Sequence, residues 1–86
     1  MDLEFSIHSL RQMEARSISR EIILSVINFA DQKVIQDSMT TIYSKLIIES
    51  GNTYLYRVFV NVLKEPNLII TAYKTSKIEK YGYPLR

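Results

Sequence analysis

The sequence predicts an α+β domain: two N-terminal helices packed on one face of a twisted antiparallel sheet of about four strands. Three observations carry this. Up to about residue 30 the apolar residues recur at helical spacing. From Lys33 onward the texture changes to β-branched alternation. Turn signals at Ser50-Gly51-Asn52 and Glu65-Pro66-Asn67 then join alternating runs so closely that neighbouring strands must be antiparallel. A helical layer on a sheet is a stable way for both to hide their apolar sides.

After an extended lead at Leu3–Phe5, Ser6 is placed to cap a first helix running to about Arg16. Ser17-Ile18-Ser19 breaks that helix and supplies a second cap, with Glu21 in the following turn, where the helix dipole favours a negative charge. The second helix reaches about Phe29. Its Ile22, Ile23, Val26 and Ile27 form an apolar stripe of middling helix formers, so tertiary burial must hold it in place. Strands are expected at about Lys33–Asp37, Thr41–Glu49, Thr53–Lys64 and Asn67–Lys74, in a meander. Within the third, Tyr54, Tyr56, Val58, Val60 and Val62 share one face, and Leu55, Arg57, Phe59, Asn61 and Leu63 the other. The last strand is apolar on both faces near its start, which places it in the interior of the sheet. The tail from Ser76 is polar, with Gly82 and Pro84 opposed to regular structure.

The 86 residues make one small domain, 1–86, with a thin stability margin. The chain has no cysteine, so neither a disulfide framework nor a thiolate metal site supplements the core, and a reducing cytoplasm is the expected compartment. The opening MDLEF shows no basic leader with an apolar stretch, and no apolar run reaches bilayer length. The formal charge of +2 is unevenly spread. Residues 1–52 hold five Lys/Arg and seven Asp/Glu, a balance of −2, whereas residues 53–86 hold six and two, a balance of +4. A basic second half fits a phosphate-bearing partner. It also fits lysines that keep an apolar sheet soluble, since charge runs are usually solvated faces.

The carboxylates are scattered without ligand spacing, the only histidine is His8, and the only glycines are Gly51 and Gly82. No metal site is expected, nor a glycine-rich phosphate loop. What remains is a set of His, Arg, Lys and Tyr, the residue types suited to cleaving RNA by attack of its own 2′-hydroxyl. That reaction needs a base, cations on the non-bridging oxygens, and an acid for the leaving 5′-oxygen. On the first helix His8 shares a side with Arg11 and, at the margin, Arg16. The plainer alternatives are a capping or packing histidine, arginines pairing with Glu14 or Glu21 on the helix surface, and Tyr73 as a core residue.

Three segments carry a family likeness. The stretches FSIHSLRQMEARSISREII, YRVFVNV and LIITAYKTSKIEKY, in that order, resemble a family of small bacterial domains related to BrnT-type toxins in the RelE/ParE superfamily. The resemblance covers essentially residues 4–81. It implies a RelE-like fold and the toxin of a type II toxin–antitoxin system, an endoribonuclease (a hydrolase) that binds and cuts RNA with no metal or other cofactor. It also implies a partner antitoxin, expected as a small acidic neighbour, in a homo-oligomer or a toxin–antitoxin hetero-oligomer. Residue by residue, the resemblance assigns catalytic roles to His8, Arg16, Arg57 and Tyr73, and substrate binding to Arg11, Lys74 and Lys77. On this reading His8 is base or acid and must meet Arg57 and Lys74 in one cleft. The short tail after Tyr81 departs from those relatives that carry a C-terminal catalytic residue. The superfamily also contains gyrase poisons, so a non-catalytic interaction module is the alternative.

Overall fold

The computed structural model describes residues 2–81. Along the chain lie β1 (Leu3–Phe5), α1 (Ile7–Ala15), α2 (Arg20–Asn28), β2 (Gln32–Ile35), β3 (Thr40–Glu49), β4 (Asn52–Asn61), β5 (Asn67–Thr75) and a short 3-10 turn (Ile78–Tyr81). The two-layer α+β class is as the sequence predicts, but the sheet has five strands rather than about four and is mixed rather than antiparallel. Its order is β1-β5-β4-β3-β2, with β1 parallel to β5 and every other pair antiparallel. The lead at Leu3–Phe5 is too short to read as a strand by alternation. It becomes one because Leu3, Glu4 and Phe5 align with Asn67, Leu68 and Ile69 of the interior strand β5.

Serine hydroxyls start both helices. Ser6 Oγ accepts from Ser9 N at 2.9 Å and Ser19 Oγ from Ile22 N at 3.2 Å, satisfying amides that the first turn leaves without a partner. α1 ends where Ser17 takes a left-handed φ of 54° and the Ile18 N–H returns to the Met13 carbonyl at 2.8 Å. That closure turns Ile18 into the core. Ser50 (φ 50°) and Gly51 (φ 80°) form the two-residue hairpin between Glu49 and Asn52. Positive φ at both positions matches the twist of the flanking strands.

Two strands stop earlier than alternation alone predicts, because side chains capture the backbone. Asp37 Oδ1 accepts from Met39 N and Thr40 N, both at 2.8 Å, so the turn after β2 begins before Asp37. Asn61 Oδ1 accepts from Leu63 N at 3.0 Å, and Asn67 Nδ2 donates to Lys64 O at 2.8 Å, so β4 ends at Asn61 rather than Lys64. Residues 82–86, the end of the expected polar tail, lie outside the described residues.

The core lies between the helices and one sheet face. Met13, Ile18, Ile23, Val26 and Ile27 pack on Tyr43, Tyr56, Val58, Val60, Ile69 and Ala72. α1 lies across β5, and α2 across β3 and β4. The other face buries Ile42, Ser44, Leu55 and Ile78. β1 covers only the start of β5, and two side chains take over beyond it: Ser6 Oγ donates to Ile70 O at 3.2 Å and Arg16 Nη1 to Ala72 O at 2.9 Å. No helix of the described residues is long and apolar enough to cross a membrane.

Ile23 is fully buried and central to the interface between the layers. Ile23→Ala is expected to cost about 3 kcal/mol in urea denaturation. Leu63→Ala, at a position 68% exposed, is expected to cost under about 0.5 kcal/mol.

Candidate functional site

β4 alternates, and its register fixes the surroundings of Arg57. Tyr56 and Val58 enter the core, so Arg57 projects from the face away from the helices, opposite Ser44 of β3 and Tyr73 of β5. There it is half-buried. Its Nη1 donates to Tyr73 Oη at 2.7 Å. Its Cζ lies 4.4 Å from the centroid of the Tyr81 ring and 5.5 Å from that of Phe59. The rings support one another: Phe59 and Tyr73 are 6.1 Å apart and tilted, and Tyr73 and Tyr81 are 6.3 Å apart, edge to face. Among the described residues no carboxylate pairs with Arg57.

The two phenols of this cluster are driven apart. Burial pushes the Tyr73 hydroxyl up, with a further push from the neighbouring Tyr81 phenol. Tyr81 is held below the usual phenol value, first by the neighbouring Tyr73 phenol and then by the positive charges of Lys80 and Arg57. One phenol thus keeps its proton while its neighbour yields it more readily.

A second cluster lies on the helix-bearing face, at the hairpin end of the sheet. Lys74 Nζ pairs with Glu49 Oε1 at 2.9 Å and sits 4.7 Å from the centroid of the Tyr54 ring. Tyr56 Oη donates to Glu49 Oε2 at 2.6 Å. These bonds, the tyrosine's first, hold the Glu49 carboxyl below its ordinary value. Burial and the same carboxylate push the Tyr56 hydroxyl up to about 12. Lys74 is raised, chiefly by Glu49. The cluster is closed on itself: each charge has its partner.

The remaining expected site residues stand elsewhere. His8 and Arg11 are exposed on α1, in the helical layer, and among the described residues neither makes a side-chain hydrogen bond or ion pair. Arg16 is spent in part on the Ala72 carbonyl. Lys77 is exposed, with its backbone N–H on Thr75 Oγ1 at 3.0 Å. The sheet therefore stands between His8 and Arg57, and the cleft expected to join His8, Arg57 and Lys74 does not form. The structure brings together Arg57 and Tyr73, and adds two residues that sequence reasoning missed. Alternation already put Phe59 beside Arg57 on one face. Nothing in the sequence pattern shows that the turn at Ile78–Tyr81 folds back to lay Tyr81 on the guanidinium. Among the described residues no group of three His, Cys, Asp or Glu side chains stands ready to hold a metal ion.

Two titrations check these environments. Followed by ultraviolet absorbance, the earliest phenolate is expected to vanish in Tyr81→Phe and to move to higher pH in Arg57→Ala, with Tyr56 ionising last. Tyr56 keeps its proton to about 12, against 10.0 for an ordinary phenol, so between those values only the unfolded chain loses it and stability falls as pH rises. Glu49 acts at the acid end. Its lowered value contributes stability above the ordinary 4.5, and that contribution is lost as pH falls through the folded value. Glu49→Gln is expected to flatten this acid limb, as measured by denaturation at stepped pH.

Comparison with known proteins gives a family match. A family described as "Domain of unknown function (DUF4258)" matches residues 5–74, from the end of β1 through Lys74. That span contains Glu49, Arg57, Phe59, Tyr73 and Lys74, and stops short of Tyr81. No curated protein and no solved structure matches the chain. The match takes in most of the chain, which belongs to the DUF4258 family.

Proposed function

We propose that this chain is a RelE/BrnT-like toxin of a type II toxin–antitoxin pair and that it cleaves RNA without a metal ion on the Arg57 face. The three segments resembling that superfamily support the class. One observation carries the site: a half-buried guanidinium with no carboxylate partner among the described residues, set among three aromatic rings, two of them phenols. Among the described residues such a guanidinium has no counter-anion, and a phosphodiester supplies one in the right fork geometry. The Phe59 and Tyr81 rings offer faces for an unstacked base, the mode in which proteins read single-stranded RNA.

The chemistry follows from these groups. Arg57 holds the non-bridging oxygens, where charge builds in the transition state. The RNA 2′-oxygen attacks phosphorus, a 2′-O–P bond forms, and the P–O5′ bond breaks. The proton from the 2′-hydroxyl leaves to a base, and the departing 5′-oxygen takes one from an acid, giving a 2′,3′-cyclic phosphate and a 5′-hydroxyl. Tyr81, the phenol that ionises more readily, is the proton acceptor, and Tyr73, which retains its proton, is the donor. A phenolate base predicts a rate that climbs with pH as Tyr81 ionises, below the range in which an ordinary phenol does so. His8 has no part on this face.

A second reading keeps the RNA and drops the cleavage. The only histidine stands across the sheet from Arg57, so at neutral pH this face holds mainly phenols that have kept their protons. On that reading the domain binds RNA or a protein and remains a non-catalytic interaction module. The cognate antitoxin, a small acidic protein, covers the Arg57 face on either reading.

The purified chain incubated with single-stranded RNA in EDTA separates them. The proposal expects cyclic-phosphate products from wild type and His8→Gln alike, with the rate reduced at least about 100-fold in Arg57→Ala and in Tyr81→Phe. RNA that is retained but intact establishes the binding module. Loss of cleavage in His8→Gln with Arg57→Ala fully active overturns the site.

A further inference from the structure

The edge of the sheet formed by β2 is unprotected. Gln36 N donates to Thr40 O at 2.9 Å, in register with the Gln32–Ser44 and Val34–Ile42 pairs, so even-numbered residues of β2 turn their backbone groups toward β3. The N–H and C=O of Lys33 and Ile35 therefore point outward, where no strand lies. Four of the eight large hydrophobic side chains exposed among the described residues belong to β2 or to the segments that flank it in the chain: Phe29 (69%), Val34 (39%), Ile35 (74%) and Met39 (47%). β2 is only four residues long, but it has no proline and no shift of register to turn the edge away. Its one lysine, Lys33, sits 5.5 Å from the centroid of the Tyr43 ring, drawn over the sheet rather than across its rim.

The charges on this edge are self-complementary, and they select the occupant. We infer that β2 pairs antiparallel with β2 of a second copy of this chain, about a two-fold axis through Ile35. In that register Ile35 lies opposite its own counterpart and exchanges two backbone hydrogen bonds with it. Continued past the strand, the same register carries Lys33 toward the turn that holds Asp37 of the second copy, at both ends. Asp37 Oδ1 is taken by Met39 N and Thr40 N, which leaves Oδ2 for the ammonium. Centring the pair on Val34 instead sets Asp31 opposite Asp37 twice, and like charges directly opposed are unfavourable. Charge thus favours the register centred on Ile35 over the one centred on Val34, a choice that alternation alone leaves open. The two sheets become one continuous sheet, with the exposed Ile35 at its junction. Arg57 on β4 is two strands from the junction and stays open, so the pairing stands independently of the RNA reading.

Sedimentation equilibrium of the full chain from about 1 μM to about 1 mM, with amide hydrogen exchange on the same samples, tests the pairing. The expected result is a monomer–dimer equilibrium in which the Lys33 and Ile35 amides gain protection with concentration. Ile35→Lys and Lys33→Glu should each raise the dissociation constant at least tenfold. Asp37→Asn, which keeps the turn-capping oxygen, should weaken the dimer as well. Mixing Lys33→Glu with Asp37→Asn, which keeps the cap, should favour the heterodimer over the Lys33→Glu homodimer, since one Lys33–Asp37 pair is restored. A chain that stays monomeric throughout, or a dimer indifferent to all of these changes, overturns the inference. Edge amides that become protected only when an acidic partner protein is added assign the edge to a foreign strand, and likewise overturn it.

Discussion

The alternation of β4 is the constraint on which the rest depends. It is a central strand, hydrogen-bonded on both sides, and its Val58 and Val60 are fully buried beneath the helices. With those side chains committed to the core, Arg57 and Phe59 have only the opposite face to occupy. A slip of one residue would drive the guanidinium into the packing around Ile23 and Val26, where an unpaired charge is far costlier than any rearrangement of the surface. The register that makes the core therefore also aims the site.

The helical layer contributes support rather than chemistry. β1 spans three residues of β5 and stops, leaving the carbonyls of the following stretch without a strand to receive them. Ser6 and Arg16, at the two ends of α1, take the Ile70 and Ala72 carbonyls and so dock the helix along the open edge. Arg16 thus has a structural task that its charge does not announce. Lys74 has another: with Glu49 and Tyr56 it ties β3, β4 and β5 together near the hairpin. Of the cations singled out from sequence, Arg57 is the one held in the sheet with only aromatic and phenolic company among the described residues.

Local chemistry was legible in the sequence, and distance was not. The caps at Ser6 and Ser19, the hairpin at Ser50-Gly51 and the two faces of β4 follow from rules that act within a few residues. The parallel pairing of β1 was hidden because three residues carry no period, and the pairing is made by a strand more than sixty positions away. The same limit explains the candidate site. Arg57 and Tyr73 were placed on sheet strands, but whether α1 lies on their face or the other depends on which face the core claims. His8, three residues before Arg11 on a helix, formed a persuasive cluster in one dimension, and folding put that cluster across the sheet from Arg57. Tyr81 was passed over because a short 3-10 turn has no signature that fixes its direction.

The central claim is that the face bearing Arg57, Phe59, Tyr73 and Tyr81 receives a phosphate and its base. The most direct measurement is a nuclear magnetic resonance titration of the chain with a short single-stranded oligoribonucleotide, observing the Arg57 guanidinium, the aromatic rings and the His8 imidazole together. The account predicts saturable shifts at Arg57, Phe59, Tyr73 and Tyr81, with His8 and Arg11 unmoved. Shifts confined to His8 and Arg11, or no saturable shift on either face, would contradict it.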